Sequence, residues 1–186
     1  MDLKPASVIR KGRSLKMDKR VNLKIELKVS EMYEFLLRHA YTSVAGLVGV
    51  GISLVAFVFF LISLNKSDAY QNILLLLIAS LFTIVNPIQL RFKAKQQVCL
   101  NPMFKIPLDY EFSDNGIVVK QNDQQAELSW NDTFKVVETN KLVIIYFSKV
   151  TGYILPKSQM GDQKSDLMDL IRSHVDEKKC KLKGSK

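Results

Sequence analysis

The sequence predicts an α+β membrane protein: a two-helix transmembrane hairpin joined to a cytoplasmic antiparallel sheet, curled into a partial barrel, with a C-terminal helix. Three observations predict it. Between His39 and Arg91 the only charged side chains are Lys66 and Asp68. Residues 21–29 alternate apolar and polar side chains without a break. After residue 105 the chain becomes a series of short β-rich runs separated by turn residues.

The 186 residues carry a net charge of +9. Such a balance can serve nucleic acid, but basic segments flanking long apolar ones are the pattern of membrane topology, so no nucleic-acid partner is expected. Residues 1–20 form a basic leader containing Arg10, Lys11, Arg13, Lys16, Lys19 and Arg20; translation begins at Met1 or at Met17. Residues 21–39 hold a half-buried strand, in which Val21, Leu23, Ile25, Leu27 and Val29 share a face, and then a juxtamembrane helix. Ser30 is its expected N-cap, with Glu31 and Glu34 in the favoured first turn.

Residues 40–64 hold no charge, and as a helix at about 1.5 Å per residue they reach about 37 Å, enough for a hydrocarbon core of about 30 Å. Residues 69–90 form a second uncharged span, and the link at 65–68 is long enough only to reverse direction, as an external turn. Lys24, Lys28 and Arg38 precede the hairpin and Arg91, Lys93, Lys95 and Lys105 follow it, against Lys66 in the turn, which places both termini in the cytoplasm. The apolar stretch begins too late and runs too long for a cleaved signal peptide.

Ala45, Gly49 and Ser53 recur every four residues, as do Ala79, Thr83 and Pro87. These small-residue stripes are expected to pack on each other, with a homodimer as their alternative use. The spans contain no Asp, Glu, Lys or Arg on which an ion or proton path would run. Asn86, Pro87 and Gln89 suggest a kink near the cytoplasmic end of the second span.

Residues 91–177 read as the cytoplasmic β domain, with strands at 106–112, 116–120, 126–130, 134–138, 142–147 and 152–155, and a helix at 165–175. Asn115-Gly116 supplies a hairpin turn that tolerates positive φ, and Asn122-Asp123 and Thr139-Asn140-Lys141 mark two more. A curled sheet closed by one helix is the arrangement of pleckstrin-homology-like folds. Residues 178–186 read as a basic tail. Both basic ends either lie on anionic lipid head groups or remain solvated and disordered.

The chain from about residue 20 resembles the YcxB-like proteins of bacteria. The residues that carry the resemblance are Leu37-Arg38-His39 entering the hairpin, then Asn101-Pro102, Phe104-Lys105, Pro107-Leu108, Tyr110, Gly116-Ile117, Trp130, Lys135, Tyr146 and Ile154-Leu155-Pro156-Lys157. The resemblance implies a bacterial inner-membrane protein with a pleckstrin-homology-like cytoplasmic domain and no assigned chemistry. The basic leader before Met17 departs from the family pattern.

No catalytic, cofactor or metal motif stands in the sequence. His39 and His174 lack local carboxylate or thiol partners at ligand spacing, Cys99 and Cys180 form no Cys-x-x-Cys pair, and no phosphate-binding glycine loop or nucleophile elbow occurs. Trp130 and Tyr153 either plug the domain core or stack on a ligand, and Lys157 either contacts an anionic head group or is solvated. The resulting expectation is a membrane-anchored, non-enzymatic binding or regulatory module whose β domain recognises an unknown protein, a peptide or lipid head groups. The alternatives are a membrane-bound enzyme with its site on the β domain and a transport or immunity role centred on the hairpin.

Overall fold

Alternation decides the first element: in strand β1 (Val21–Ile25) the odd-numbered side chains are buried and the even-numbered ones exposed. The computed structural model describes residues 20–64 and 68–182, so the expectations for residues 1–19, 65–67 and 183–186 lie outside the described residues. Helix α1 (Val29–Thr42) begins one residue before Ser30, with Lys28 at its N-cap. The Lys28 N–H donates to the Glu31 carboxylate at 2.8 Å, so Glu31 occupies the first turn as expected while Ser30 does not cap.

Ser43 then breaks the helix. Its backbone is extended (φ −75°, ψ 153°), and its hydroxyl donates to the Ala40 carbonyl at 2.8 Å and accepts from the Gly46 N–H at 3.1 Å. Helix α2 (Val44–Ser63) follows, and therefore starts four residues later than the uncharged span does. A Cβ on Gly46 would stand 1.8 Å from the Ala40 carbonyl oxygen, so the break closes only over glycine.

The return leg is continuous from Ala69 to Leu100. It comprises α3 (Ala69–Ser80), a π-helical turn at Leu81–Val85 and α4 (Asn86–Leu100). Pro87 explains the turn. The Asn86 N–H donates to the Leu81 carbonyl, five residues back, and proline has no N–H to do the same for Phe82. The Tyr41 hydroxyl supplies the missing donor to the Phe82 carbonyl. The helix passes residue 90, where the apolar span ends, because Arg91, Lys93 and Lys95 change its surroundings without stopping it. Asn101-Pro102 stops it.

Helix α2 and the helix from Ala69 to Leu100 are both long and apolar enough to cross a membrane, and only 22% and 11% of their most apolar windows are buried. A core helix of a soluble domain hides most of such a window. Here Leu47, Ile52, Phe59, Ile62, Ile73 and Leu77 all point outward.

The two helices meet on small residues, as expected for Gly49, Ser53 and Ala79 but not for Ala45 and Thr83. Gly46, Gly49, Ser53 and Ala56 are buried on α2 and Ala79 on α3, whereas Ala45 and Thr83 are exposed. A strict four-residue repeat drifts off a face that turns every 3.6 residues. Ser53 donates to the Ile78 carbonyl at 3.3 Å, and Ser63 donates to Asn72 Oδ1 at 2.5 Å.

Strands β2 (Leu108–Ser113), β3 (Gly116–Gln121) and β4 (Gln124–Leu128) form an antiparallel meander, and β1 joins it beside β2 with Leu23 opposite Tyr110. At the β2–β3 turn Gly116 has φ 148°, and a Cβ there would meet the Leu128 carbonyl at 2.7 Å. The second sheet is ordered β7-β6-β5-β8, from β5 (Lys135–Glu138), β6 (Leu142–Tyr146), β7 (Gly152–Pro156) and β8 (Cys180–Lys181). Strand β8 runs parallel to β5 with Val136 opposite Cys180. Residues 178–182, read from their lysines as the start of a tail, are therefore folded: Leu182 is buried, and Lys179 Nζ donates to the Thr133 carbonyl at 3.1 Å.

Every residue of β6 is buried, because its sheet has apolar cover on both faces. Val143 and Ile145 enter a core shared with β1, β2, β3 and helix α5 (Lys164–His174), where Phe112, Leu155, Leu167 and Ile171 are fully enclosed. Leu142, Ile144 and Tyr146 face the other way, onto Leu27 and Met32 and onto Ala94 of α4. The two sheets, α5 and the helices α1 and α4 are thus joined through one strand.

Candidate functional site: an uncharged cleft between stalk and sheets

A cavity of about 580 Å³ lies where α1, the segment after α4, and the ends of both sheets come together. Helix α1 contributes Met32, Phe35, Leu36 and His39, the first sheet Leu108, Tyr110 and Val119, and β7 with its preceding turn Phe147, Val150, Tyr153 and Ile154. Met103 and Phe104 form a further wall. They sit in a 3₁₀ turn at Pro102–Phe104, which Gln121 tethers to β3 by donating to the Met103 carbonyl at 2.6 Å and the Ile106 carbonyl at 3.0 Å.

Aromatic rings line much of the cleft. Tyr153 meets Tyr110 edge-on at 5.4 Å between centroids and Phe147 at 5.1 Å, and Phe35 stacks between His39 and Tyr146 at 6.4 and 6.1 Å. No Asp, Glu, Lys or Arg is among the described residues that line it; the polar groups are chiefly the amides of Gln97, Gln121, Gln124 and Gln125. Such a surface offers apolar contact, a few neutral hydrogen bonds and one imidazole, that of His39.

Burial raises the phenol pKa values of Tyr110, Tyr146 and Tyr153 above the ordinary 10.0, for Tyr110 with a further contribution from Tyr153. The folded state holds these protons more tightly than the unfolded one. Both states are protonated below pH 10.0, so these groups leave stability flat there, and it falls as pH rises through 10.0 and the unfolded chain gives up its protons. Thermal midpoints measured between neutral pH and about pH 11 should drop on the alkaline side, and less steeply in Tyr110→Phe.

The three side chains singled out by sequence do not share this site. Tyr153 lines the cleft. Trp130 is buried elsewhere, in a 3₁₀ turn (Trp130–Asp132), where its Nε1–H donates to the Ser113 carbonyl at 2.8 Å and its ring stacks on His174 at 5.5 Å. His174 Nε2 lies 3.4 Å from Asp114 Oδ1, a carboxylate sixty residues away in sequence, so this corner pins the end of α5 to the β2–β3 turn. Lys157 is largely buried, with Nζ 2.5 Å from Glu138 Oε1 and 2.6 Å from the Thr139 carbonyl. Thr139 in turn donates to Glu34 of α1 at 2.6 Å.

Phe35, Met103, Phe104, Tyr110 and Phe147 belong to the cleft and were not recognised as site residues. Phe104, Tyr110 and Ile154 are among the residues that carry the family resemblance, which was the one available signal. Among the described residues no group of three or more His, Cys, Asp or Glu gathers as metal ligands do. Cys180 is half-buried and its thiol pKa is raised by burial against a smaller lowering by Arg172; Cys99 is exposed on α4.

No curated protein and no solved structure matches the chain. Residues 112–171, from Phe112 in β2 to Ile171 in α5, match the family described as YcxB-like protein, so the chain carries a YcxB-like segment from the end of β2 into α5.

Proposed function

We propose that the chain is a bilayer-anchored, non-enzymatic binding module of a bacterial inner membrane, with the hairpin crossing the bilayer and the β domain holding a ligand on the cytoplasmic side. The uncharged, aromatic-lined cleft is the observation that carries the binding role. The outward-facing apolar side chains of α2 and α3 support the crossing, since in water they would form a large exposed patch. The 32 residues from Ala69 to Leu100 span about 48 Å against a hydrocarbon core of about 30 Å, so the end of α4 extends past the apolar span, packed beside α1, as a stalk that carries the sheets. Arg38, Arg91, Lys93 and Lys95 cluster at that end, which supports a cytoplasmic position for both termini. The order β1-β2-β3-β4 against β7-β6-β5, followed by α5, supports a pleckstrin-homology-like arrangement.

Cysteine labelling tests the anchoring. With Ser67→Cys in the turn, a membrane-impermeant maleimide should label that thiol from outside intact cells, and should reach exposed Cys99 only after membrane vesicles are inverted. Labelling of both thiols from one side, or release of the protein by a carbonate wash, would remove the hairpin from the bilayer.

A further inference from the structure

We infer that the cleft takes a hydrocarbon chain of a membrane amphiphile, admitted from the bilayer surface beside α1. The inference rests on the anchored reading above and specifies its ligand.

Three observations meet here. The first is position. Arg38 and Arg91 are the first charges met on leaving the apolar hairpin along its two legs, so the bilayer boundary falls beside them. His39 adjoins Arg38, and Phe35 and Leu36 lie within a turn of it; all three line the cleft, so its α1 wall starts at the lipid surface.

The second is chemistry. A lining without Asp, Glu, Lys or Arg gives a phosphate or carboxylate head group only His39, at the α1 end, and neutral amides to pair with, while the rings of Phe35, Phe104, Tyr110, Phe147 and Tyr153 suit methylene groups. A peptide would bring backbone N–H and C=O groups that require partners. The lining offers few, and Gln121 already serves the Met103 and Ile106 carbonyls. The third is unused apolar surface in the lining: Met103 is 59% exposed and Val150 62% exposed, although the cores on either side are closed. A chain laid in the cleft would cover them, each buried methylene contributing about 0.8 kcal/mol.

The test is photocrosslinking in phosphatidylethanolamine–phosphatidylglycerol vesicles containing the full chain. One arm adds palmitic acid with a terminal diazirine; the other uses phosphatidylglycerol with the same label in one acyl chain. Crosslinks are expected in residues 103–110 and 147–154 as well as in α2 and α3. Ala126→Trp, which fills the cleft from β4, should lower the cleft crosslinks about tenfold, a change that corresponds to about 1.4 kcal/mol of binding, and leave those in α2 and α3 unchanged. Thr151→Trp on the opposite lip repeats the measurement with an independent variant. Cleft labelling by palmitic acid alone identifies a free fatty acid, and labelling by the phospholipid identifies the lipid; either supports the inference. Crosslinks confined to α2 and α3 in both arms, or cleft crosslinks that persist in both tryptophan variants, would overturn it. Ser67→Cys labelling on the same vesicles separates the two failures. A turn thiol on the far side without cleft crosslinks removes the hydrocarbon ligand alone, and a protein that never inserts removes the anchored reading as well.

Discussion

Lys157→Met should destabilise the two-sheet domain by about 3–5 kcal/mol, the cost expected when one partner of a buried ion pair is removed. Lys157 and Glu138 side chains are only 14% and 8% exposed, and Nζ also holds the Thr139 carbonyl. Methionine fills the same channel but removes the 2.5 Å contact that Lys157 makes to the Glu138 carboxylate in a poorly solvated place. The double replacement Lys157→Met, Glu138→Leu should recover most of the loss, because both desolvation costs vanish together. Thermal unfolding in detergent, followed by Trp130 fluorescence, reads both variants. A Lys157→Met midpoint equal to wild type would show that the pair contributes nothing. The same substitution should loosen α1, since Thr139 links Lys157 to Glu34.

The second large effect lies in the hairpin and is best seen as a contrast within one helix. Gly46→Ala should cost about 3 kcal/mol, at the upper end of overpacking penalties, because its new methyl meets the Ala40 carbonyl, a backbone atom that moves only if the Ser43 break opens. Gly51→Ala, five residues on, has open space within 4 Å and should be neutral or stabilising by up to about 1 kcal/mol through helix propensity. Thermal midpoints in one detergent decide it. Equal effects at the two positions would mean that the break is not a fixed feature. Opening it would also pull Tyr41 from the Phe82 carbonyl, so Gly46→Ala and Tyr41→Phe should be less than additive.

What the sequence discloses follows from how local each signal is. The β1 alternation and the Asn115-Gly116 turn are written within a few residues, and both were legible. Strand β4 was placed at 126–130 because Leu128 and Trp130 are apolar; it lies at Gln124–Leu128, a mostly exposed edge strand without a buried face to impose alternation, while Trp130 turns away into a 3₁₀ turn. The sequence ends the second span, 69–90, at residue 90 because charge marks the limit of an apolar environment, whereas helix length depends on caps and breakers, and the helix runs on to Leu100. Residues 178–186 were read as a tail because lysines dominate them, yet Cys180 and Leu182 suffice to dock β8. Of the cleft the sequence marks Tyr153 and, through the family resemblance, Phe104, Tyr110 and Ile154, but not their convergence: the walls come from α1, the turn after α4, both sheets and the β6–β7 turn, and no single stretch announces it.

The two-faced burial of β6 sets an order of events during synthesis. The hairpin and α1 leave the ribosome before residue 100, but the apolar side chains of α1 and α4 that face Leu142, Ile144 and Tyr146 have no cover until β6 emerges. At about 5–20 residues per second the inner faces of α1 and α4 therefore stay bare for several seconds. β1 waits as well, since its partner β2 begins only at Leu108. If the hairpin crosses the bilayer as proposed, insertion precedes domain closure, and a chain truncated before residue 142 would leave the inner faces of α1 and α4 open to proteases and chaperones.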